Sequence, residues 1–294
     1  MTSPLISIIL PVYDGATTLS DAIRSVLEQT FKNYEILLLD DGSTDGSLNV
    51  AKTFSDFRLQ IIYDGTNHGL AYRLNQGIDL ARGRYIARMD QDDICFPERL
   101  AKQFAFLETH PDIDLLGCRA MVFQSTQKVV GLMPFLGGTH EEICASPWNS
   151  VRLAHPTWMG RTEWFRHYRY RIPEVVLAED QELLLRAYPE SHFACLQEVL
   201  LAYRREHFFL IKTLRQRYAL LGVQLSHFAR RRQWFTVVLS IAVTFLKALI
   251  DCVASLPACE TLFFLRMTEA VPTSVVEKFR NLELEVDLNS QSKT

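Results

Sequence analysis

Arg84-Tyr85-Ile86-Ala87-Arg88-Met89-Asp90-Gln91-Asp92-Asp93 is the stretch whose reading decides the fold. The short apolar run 85–89 reads as a buried strand, and three carboxylates stand at its carboxyl end. Pro97 and Glu98 then open a helix with Leu100, Phe104 and Leu107 on one face. In an open α/β sheet, ligands sit just beyond the carboxyl ends of the strands. Carboxylates gathered there repel one another unless a cation, hydrogen bonds or water offset the charge. A hard divalent cation shared with phosphate oxygens answers that need, and a solvated loop before a helix is the plainer reading.

Outward from this stretch the same pattern repeats. Ile6-Ser7-Ile8-Ile9-Leu10 is a β-rich run stopped by Pro11, followed by helix-period apolar residues Leu19, Ile23, Val26 and Leu27, with Thr18 and Asp21 resembling a capping box. Residues 34–39 form a second strand and 59–63 a third. The helix between them has an inner face of Leu48, Ala51 and Phe54 and a cap at Ser43 or Thr44. Residues 70–81 form a helix with Leu70, Leu74 and Ile78 on one face. Such β-α-β alternation predicts an α/β fold with a doubly wound, mostly parallel sheet. One or two strands are expected in 113–123, a helix over 178–187 and a strand over 193–203. Between 131 and 173 the periodicity weakens, as suits a substrate-facing wall.

Two further acid groups end strands: Asp14 after Pro11-Val12-Tyr13, and Asp40-Asp41. Strand ends of one parallel sheet face the same way, so both should lie near Asp90–Asp93. Asp41-Gly42-Ser43-Thr44-Asp45-Gly46 imitates a calcium loop, but Lys52 stands where a bidentate acid is needed and a strand precedes it. Asp41 and Asp45 could equally cap a helix. No GxGxxG or GxxxxGK[ST] follows a strand, so a dinucleotide or P-loop site lacks its signature.

The chain has 294 residues, a formal net charge of −3 and no basic excess suited to a nucleic-acid partner. Basic residues nevertheless crowd 204–232: Arg204, Arg205, Lys212, Arg215, Arg217, Arg230, Arg231 and Arg232, against Glu206 alone. The six cysteines, Cys95, Cys118, Cys144, Cys195, Cys252 and Cys259, form no CxxC pair and suit reduced, mostly buried thiols in a cytosolic setting. The N-terminal Met1-Thr2-Ser3-Pro4 carries no signal-peptide pattern. Residues 234–256 are almost wholly apolar except for one stripe, Thr236, Ser240, Thr244, Lys247, Asp251 and Ser255, at helical spacing. Lys247 and Asp251 disfavour an isolated membrane-spanning helix. An interfacial helix behind Arg230-Arg231-Arg232, or a helix packed on protein, remain as readings.

Taken in order, Ile8-Ile9-Leu10-Pro11-Val12-Tyr13-Asp14, Leu39-Asp40-Asp41-Gly42-Ser43-Thr44-Asp45, Asn67-His68-Gly69-Leu70-Ala71, Leu74-Asn75-Gln76-Gly77-Ile78 and Met89-Asp90-Gln91-Asp92-Asp93 resemble glycosyltransferase family 2. His155-Pro156-Thr157 and Ala178-Glu179-Asp180 continue the resemblance, which spans about residues 4–205. It implies a GT-A-like nucleotide-diphospho-sugar transferase domain and inverting transfer of a sugar, of hexosyltransferase type, to a glycan or lipid-linked hydroxyl. Pro11, Tyr13 and Asp14 would border the nucleotide, Asp41 would contact the base, and Asp90 would hold the ribose or the metal shell. Asp92 would ligate Mn²⁺ or Mg²⁺. Asp180 would be the catalytic base, with Glu179 in reserve. Asp14 departs from the family's usual Asn.

A base and metal carboxylates on either side of a donor sugar fit the chemistry, because a dication stabilises the leaving diphosphate while a separate carboxylate takes the hydroxyl proton. Asp180 as a simple helix cap would look the same in sequence. His155 could orient acceptor or diphosphate, or serve as a structural hydrogen-bonding residue. Trp148, Trp158 and Trp164 could stack on sugars or fill the core. The expected division is 1–120 as the nucleotide-sugar-binding region, 121–205 as the acceptor side of the same domain, and 206–294 as a helical extension. The extension would meet the cytoplasmic face of the membrane. A nucleotidyltransferase making nucleotide sugars, or a catalytically silent sugar-binding protein, are the competing functions.

Overall fold

Every side chain of Ile6–Val12 (β1) is buried, which only a central strand covered on both faces achieves. Alternate residues of a strand point to opposite faces, and here the two faces carry two cores. Ile6, Ile8 and Leu10 pack with Leu19, Ala22, Ile23 and Val26 of helix α1 (Leu19–Leu27). Ile9 packs with Ala71, Leu74 and Ile78 of helix α3 (Leu70–Leu80) on the other side. Each such buried aliphatic contributes about 1.5–3 kcal/mol. The computed structural model describes residues 3–125, 128–135, 137–173, 175–205, 209–256 and 269–291. Met1, Thr2, Glu206 and Cys259, weighed above, fall outside them.

β1 pairs in parallel with β2 (Tyr34–Asp40) and β4 (Tyr85–Arg88), and β2 pairs in parallel with β3 (Leu59–Ile62). Helix α2 (Ser47–Lys52) connects β2 to β3. Beyond β4 the sheet becomes mixed. β8 (Met159–Arg161) runs antiparallel to both β4 and β6 (Leu115–Ser125). β9 (Phe193–Arg204) lies parallel to β6, and β5 (Ile94–Cys95) closes the order β3-β2-β1-β4-β8-β6-β9-β5. The expected doubly wound, mostly parallel α/β sheet is therefore present, with its parallel half at the N-terminus. β7 (Lys128–Leu132), which the sequence did not reveal, pairs with β6 as a hairpin.

Helix α4 (Arg99–Thr109) follows β5; the short α5 (His140–Ile143) and α6 (Thr162–His167) flank β8, and α7 (Glu179–Ala187) precedes β9. Two expected caps are not formed. Thr18 makes no side-chain cap, and its hydroxyl bonds the Gly15 carbonyl instead. The residue before α2 is Gly46, and Asp45, not Ser43 or Thr44, accepts from the Ser47 N–H.

Helices α8 (Leu210–Arg230) and α9 (Trp234–Ala254) form a hairpin on this body, and α10 (Thr273–Gln291) buries Phe279 against Phe96 and Phe123. The polar stripe of α9 points inward. Ser240, Thr244 and Asp251 are buried, Asp251 pairs with Arg217 of α8, and Lys247 donates to Asn149. The apolar side points outward, with Phe235 81% and Phe245 72% exposed beside Val238, Ile241, Leu246 and Leu249. α9 is long and apolar enough to cross a membrane by length and composition. Its contacts with the body nevertheless tie one face to protein.

Among the described residues the thiols are free. Cys95 and Cys118 are buried as expected, whereas Cys252 is exposed on α9.

Candidate active site

The order β3-β2-β1-β4 reverses between β1 and β4, and the crevice at such a switch point is where open α/β sheets bind ligands. Pro11, Val12 and Tyr13 leave β1 there, and Asp90, Gln91 and Asp92 leave β4. Gln91 clamps the two exits: its Oε1 accepts from the Tyr13 N–H at 2.7 Å and its Nε2 donates to the Tyr13 carbonyl at 3.0 Å. The cleft behind them has a volume of about 1120 Å³. Asp41, Glu179, Asp180 and His155 also line it.

Asp90, Asp92 and Asp93 each offer a carboxylate oxygen within 4.8 Å of the others. Burial, then the adjacent Asp90 charge, pushes the Asp92 carboxyl up to about 6. Asp93 is fully buried and pushed well above the carboxylate range by the same causes. Its Oδ1 accepts from the Arg204 N–H at 3.0 Å, while its buried Oδ2 has no partner in the described structure. An all-oxygen set with an orphaned acceptor fits a hard divalent cation such as Mn²⁺ or Mg²⁺. Asp93 offers a third oxygen beside Asp90 and Asp92, the two expected as ligands. Arg88, buried at the end of β4, pairs with Asp90, and that pairing outweighs the cost of burial and raises its pKa. Arg204, whose Nε donates to the Asp92 carbonyl, braces the loop from β9.

Asp41 is held more firmly than its expected contact with a base requires. Its carboxylate accepts from the His68 N–H (2.8 Å), the Gly69 N–H (3.0 Å) and the Arg73 Nε (2.9 Å). With about four acceptor sites on a carboxylate, one remains for a ligand. Arg73 is itself buried on α3 and reaches on to Asp64 at 2.6 Å. Gly42 allows the turn: its φ is +76°, and a Cβ there would sit 2.9 Å from the Asn67 backbone nitrogen. Asp14, expected beside the nucleotide, hydrogen-bonds this loop. Its Oδ1 accepts from the Thr44 N–H at 2.8 Å and its own N–H donates to Ser43 Oγ.

Glu179 and Asp180, which also line the cleft, open α7. Burial raises the Asp180 carboxyl above its ordinary range, and Arg88, close enough to act on it, pulls it back. His155 bonds Tyr170 Oη at 2.6 Å and lies 3.8 Å from Glu179. Burial, then Arg88, holds its imidazole well below the usual histidine range. Trp158 and Trp164 are buried in the core, so these two rings do not form sugar-stacking faces, and Trp148 packs partly buried against it.

Sequence reasoning missed Arg73 and Arg88. Both sit inside segments read as apolar helix and strand faces, and an arginine interrupting such a face is the signal that could have found them. Arg152, Arg217 and Lys247 also line the cleft.

The doubly wound half-sheet with its mixed continuation is a GT-A type of fold. The chain belongs to glycosyl transferase family 2, whose model matches residues 7–169, just over half of it. It is 43% identical over 125 residues to the putative glycosyltransferase EpsE of Bacillus subtilis, covering 42% of this chain and 45% of EpsE. The chain therefore matches less than half the length of that relative. In fold it resembles S. aureus TarS 1–349 in complex with UDP-GlcNAc (TM-score 0.59, 17% identity, covering 97% and 92% of the two chains). It also resembles the mannosyltransferase PcManGT of Pyrobaculum calidifontis in complex with GDP-Man and Mn²⁺ (TM-score 0.60, 16% identity, covering 90% and 79%).

Proposed function

We propose that this chain is an inverting glycosyltransferase that moves a sugar from a nucleoside-diphosphate donor to the hydroxyl of a glycan or lipid-linked acceptor. The observation that carries the reading is one cleft lined by two separate acid groups, Asp90/Asp92 and Glu179/Asp180. Inverting transfer needs such a division, because the leaving diphosphate and the attacking hydroxyl lie on opposite faces of the sugar. Residues 1–120 would form the donor half, 121–205 the acceptor wall, and the helices of 206–294 a roof.

Asp90, Asp92 and Asp93 would hold Mn²⁺ or Mg²⁺ beside the diphosphate. When bound, the cation neutralises charge that develops on the departing nucleoside diphosphate. Pro11 and Tyr13 border the nucleotide, and Asp41 offers its remaining acceptor site to the base. Asp180 takes the proton of the acceptor hydroxyl as the new bond forms, and the burial that raises its carboxyl makes it a stronger base. Arg88 pairs with Asp90 and favours the charged form of Asp180, so one cation serves both acid groups.

The outward apolar face of α9, with Arg230, Arg231 and Arg232 at its N-terminal end, suits contact with an anionic membrane surface, the cytoplasmic face in this reading. A donor-hydrolysis screen across nucleotide sugars with Mn²⁺ or Mg²⁺ tests the function. Release of nucleoside diphosphate from at least one donor, lost in Asp92→Ala, is the expected result. No hydrolysis and no transfer from any donor, with nucleotide binding intact, would assign the chain to silent sugar binding.

A further inference from the structure

The cleft changes chemical character beneath α8 and α9. Arg152, Arg205, Lys212, Arg217 and Lys247 line it there, beside Asn149 and Gln216. They come from separate stretches that meet at one place. Lys247 donates to Asn149 Oδ1, three residues before Arg152. Arg217 pairs with Asp251, one turn beyond Lys247 on α9. Arg205, just before α8, feels both Arg217 and Asp251. Asp251 already serves Arg217, and Arg152 makes no ion pair among the described residues.

Burial lowers the pKa of Arg152, and burial then Arg217 lowers that of Arg205. Partly desolvated like charges brought together gain from an anion. The cavity, about 1120 Å³, exceeds the roughly 300–1,000 Å³ that houses one small ligand. Two features connect this end with the chemistry and with the outer surface. Gln181, next to Asp180, accepts from the Val151 N–H and donates to the Val151 carbonyl, both at 3.0 Å, so it ties the Arg152 loop to the helix of the base. Ile250 lines the cleft and is also part of the outward apolar face of α9.

We propose that Arg152, Arg205, Lys212, Arg217 and Lys247 form a phosphate subsite for the acceptor, a lipid-linked sugar bearing a phosphate or diphosphate that enters past Ile250. This rests on the sugar-transfer reading and names its acceptor class. Arginine forks match phosphate oxygens bidentately, and the lysines add point charges. The phosphate anchors the acceptor while its sugar hydroxyl reaches Asp180.

The test titrates farnesyl diphosphate into the full chain by calorimetry, with saturating UDP, GDP and Mn²⁺ occupying the donor site. Binding is expected to persist and to weaken about tenfold or more in Arg152→Gln/Lys212→Gln, with nucleotide affinity and thermal midpoint unchanged and partial rescue by Arg152→Lys. Full competition between farnesyl diphosphate and nucleotide would overturn the proposal, because the cations would then serve the donor. Unchanged affinity in the double variant would overturn it equally. Inorganic pyrophosphate binding as tightly as farnesyl diphosphate would remove the lipid from the ligand. A parallel loss of binding to phosphatidylglycerol vesicles without farnesyl diphosphate would assign the cations to bilayer headgroups. Failure of the wild type to bind any nucleotide is a separate readout and would sink the transfer reading instead.

Discussion

Neutralising Asp92 should stabilise the metal-free protein, and by an amount that depends on pH. Burial, followed by the Asp90 charge, pushes its carboxyl up to about 6, whereas an unfolded Asp titrates near about 3.9. The folded state therefore holds this proton more tightly than the unfolded chain. The charged side chain costs stability above the folded pKa, and the cost fades as the pH falls toward the unfolded value. Two pKa units correspond to a ceiling of about 3 kcal/mol at pH 7, and partial exposure brings the figure to about 1–2 kcal/mol. At pH 4.5 about a third of that remains.

The wild-type slope alone mixes signs, because burial lowers the pKa of His140, His155 and His227, which removes stability as the pH falls through the unfolded histidine range. The quantity to measure is the difference between wild type and Asp92→Asn in urea denaturation with EDTA. Asn should be more stable by about 1–2 kcal/mol at pH 7, and the advantage should shrink on acidification. Adding Mn²⁺ should reverse the order by stabilising the wild type. A difference that stays constant with pH would refute the description of Asp92 as a buried, like-charge-strained acid.

Asp180→Asn should leave donor affinity unchanged and slow transfer by about 10²–10⁴-fold, checked by donor titration beside steady-state assays. Because burial raises the Asp180 carboxyl, the wild-type rate should fall as the pH drops through a value above the ordinary Asp range, where the base becomes protonated; a flat acid limb would contradict this. Arg73→Met leaves the buried Asp41 carboxylate without its cation and should cost about 3–5 kcal/mol in chemical denaturation, with the half-exposed Asp64 contact adding little. A loss under about 1 kcal/mol would show that the His68 and Gly69 amides suffice to hold Asp41. Phe245→Glu/Leu249→Glu should abolish co-sedimentation with anionic vesicles while nucleotide binding persists, and unchanged sedimentation would exclude the α9 face as the membrane contact.

The parallel half of the sheet was legible because each strand is a short apolar run and each helix keeps a helical period. The antiparallel half was harder. β8 is only three residues long, and its pairing depends on partners remote in sequence, Gly160 standing against both Ile86 and Leu115. The acid clusters could be found from their strand-end positions. The cations that hold them left a fainter mark: an arginine on an otherwise apolar helix face flags Arg73, but its partner Asp41 lies 32 residues away. Asp14 could be placed at a strand end, yet its hydrogen bond to Thr44 is a property of two loops meeting. The polar stripe of α9 was visible, but only Arg217 and Asn149 explain why it faces inward and leaves the apolar side to the outside.

The most direct measurement is a titration of the nucleotide-sugar donor into wild type and Asp92→Ala, each with Mn²⁺ and with EDTA. Wild-type affinity should rise on adding Mn²⁺, and the variant should show no such gain. Equal donor affinity in all four titrations would contradict the role of the Asp90–Asp93 loop in holding the metal and the diphosphate.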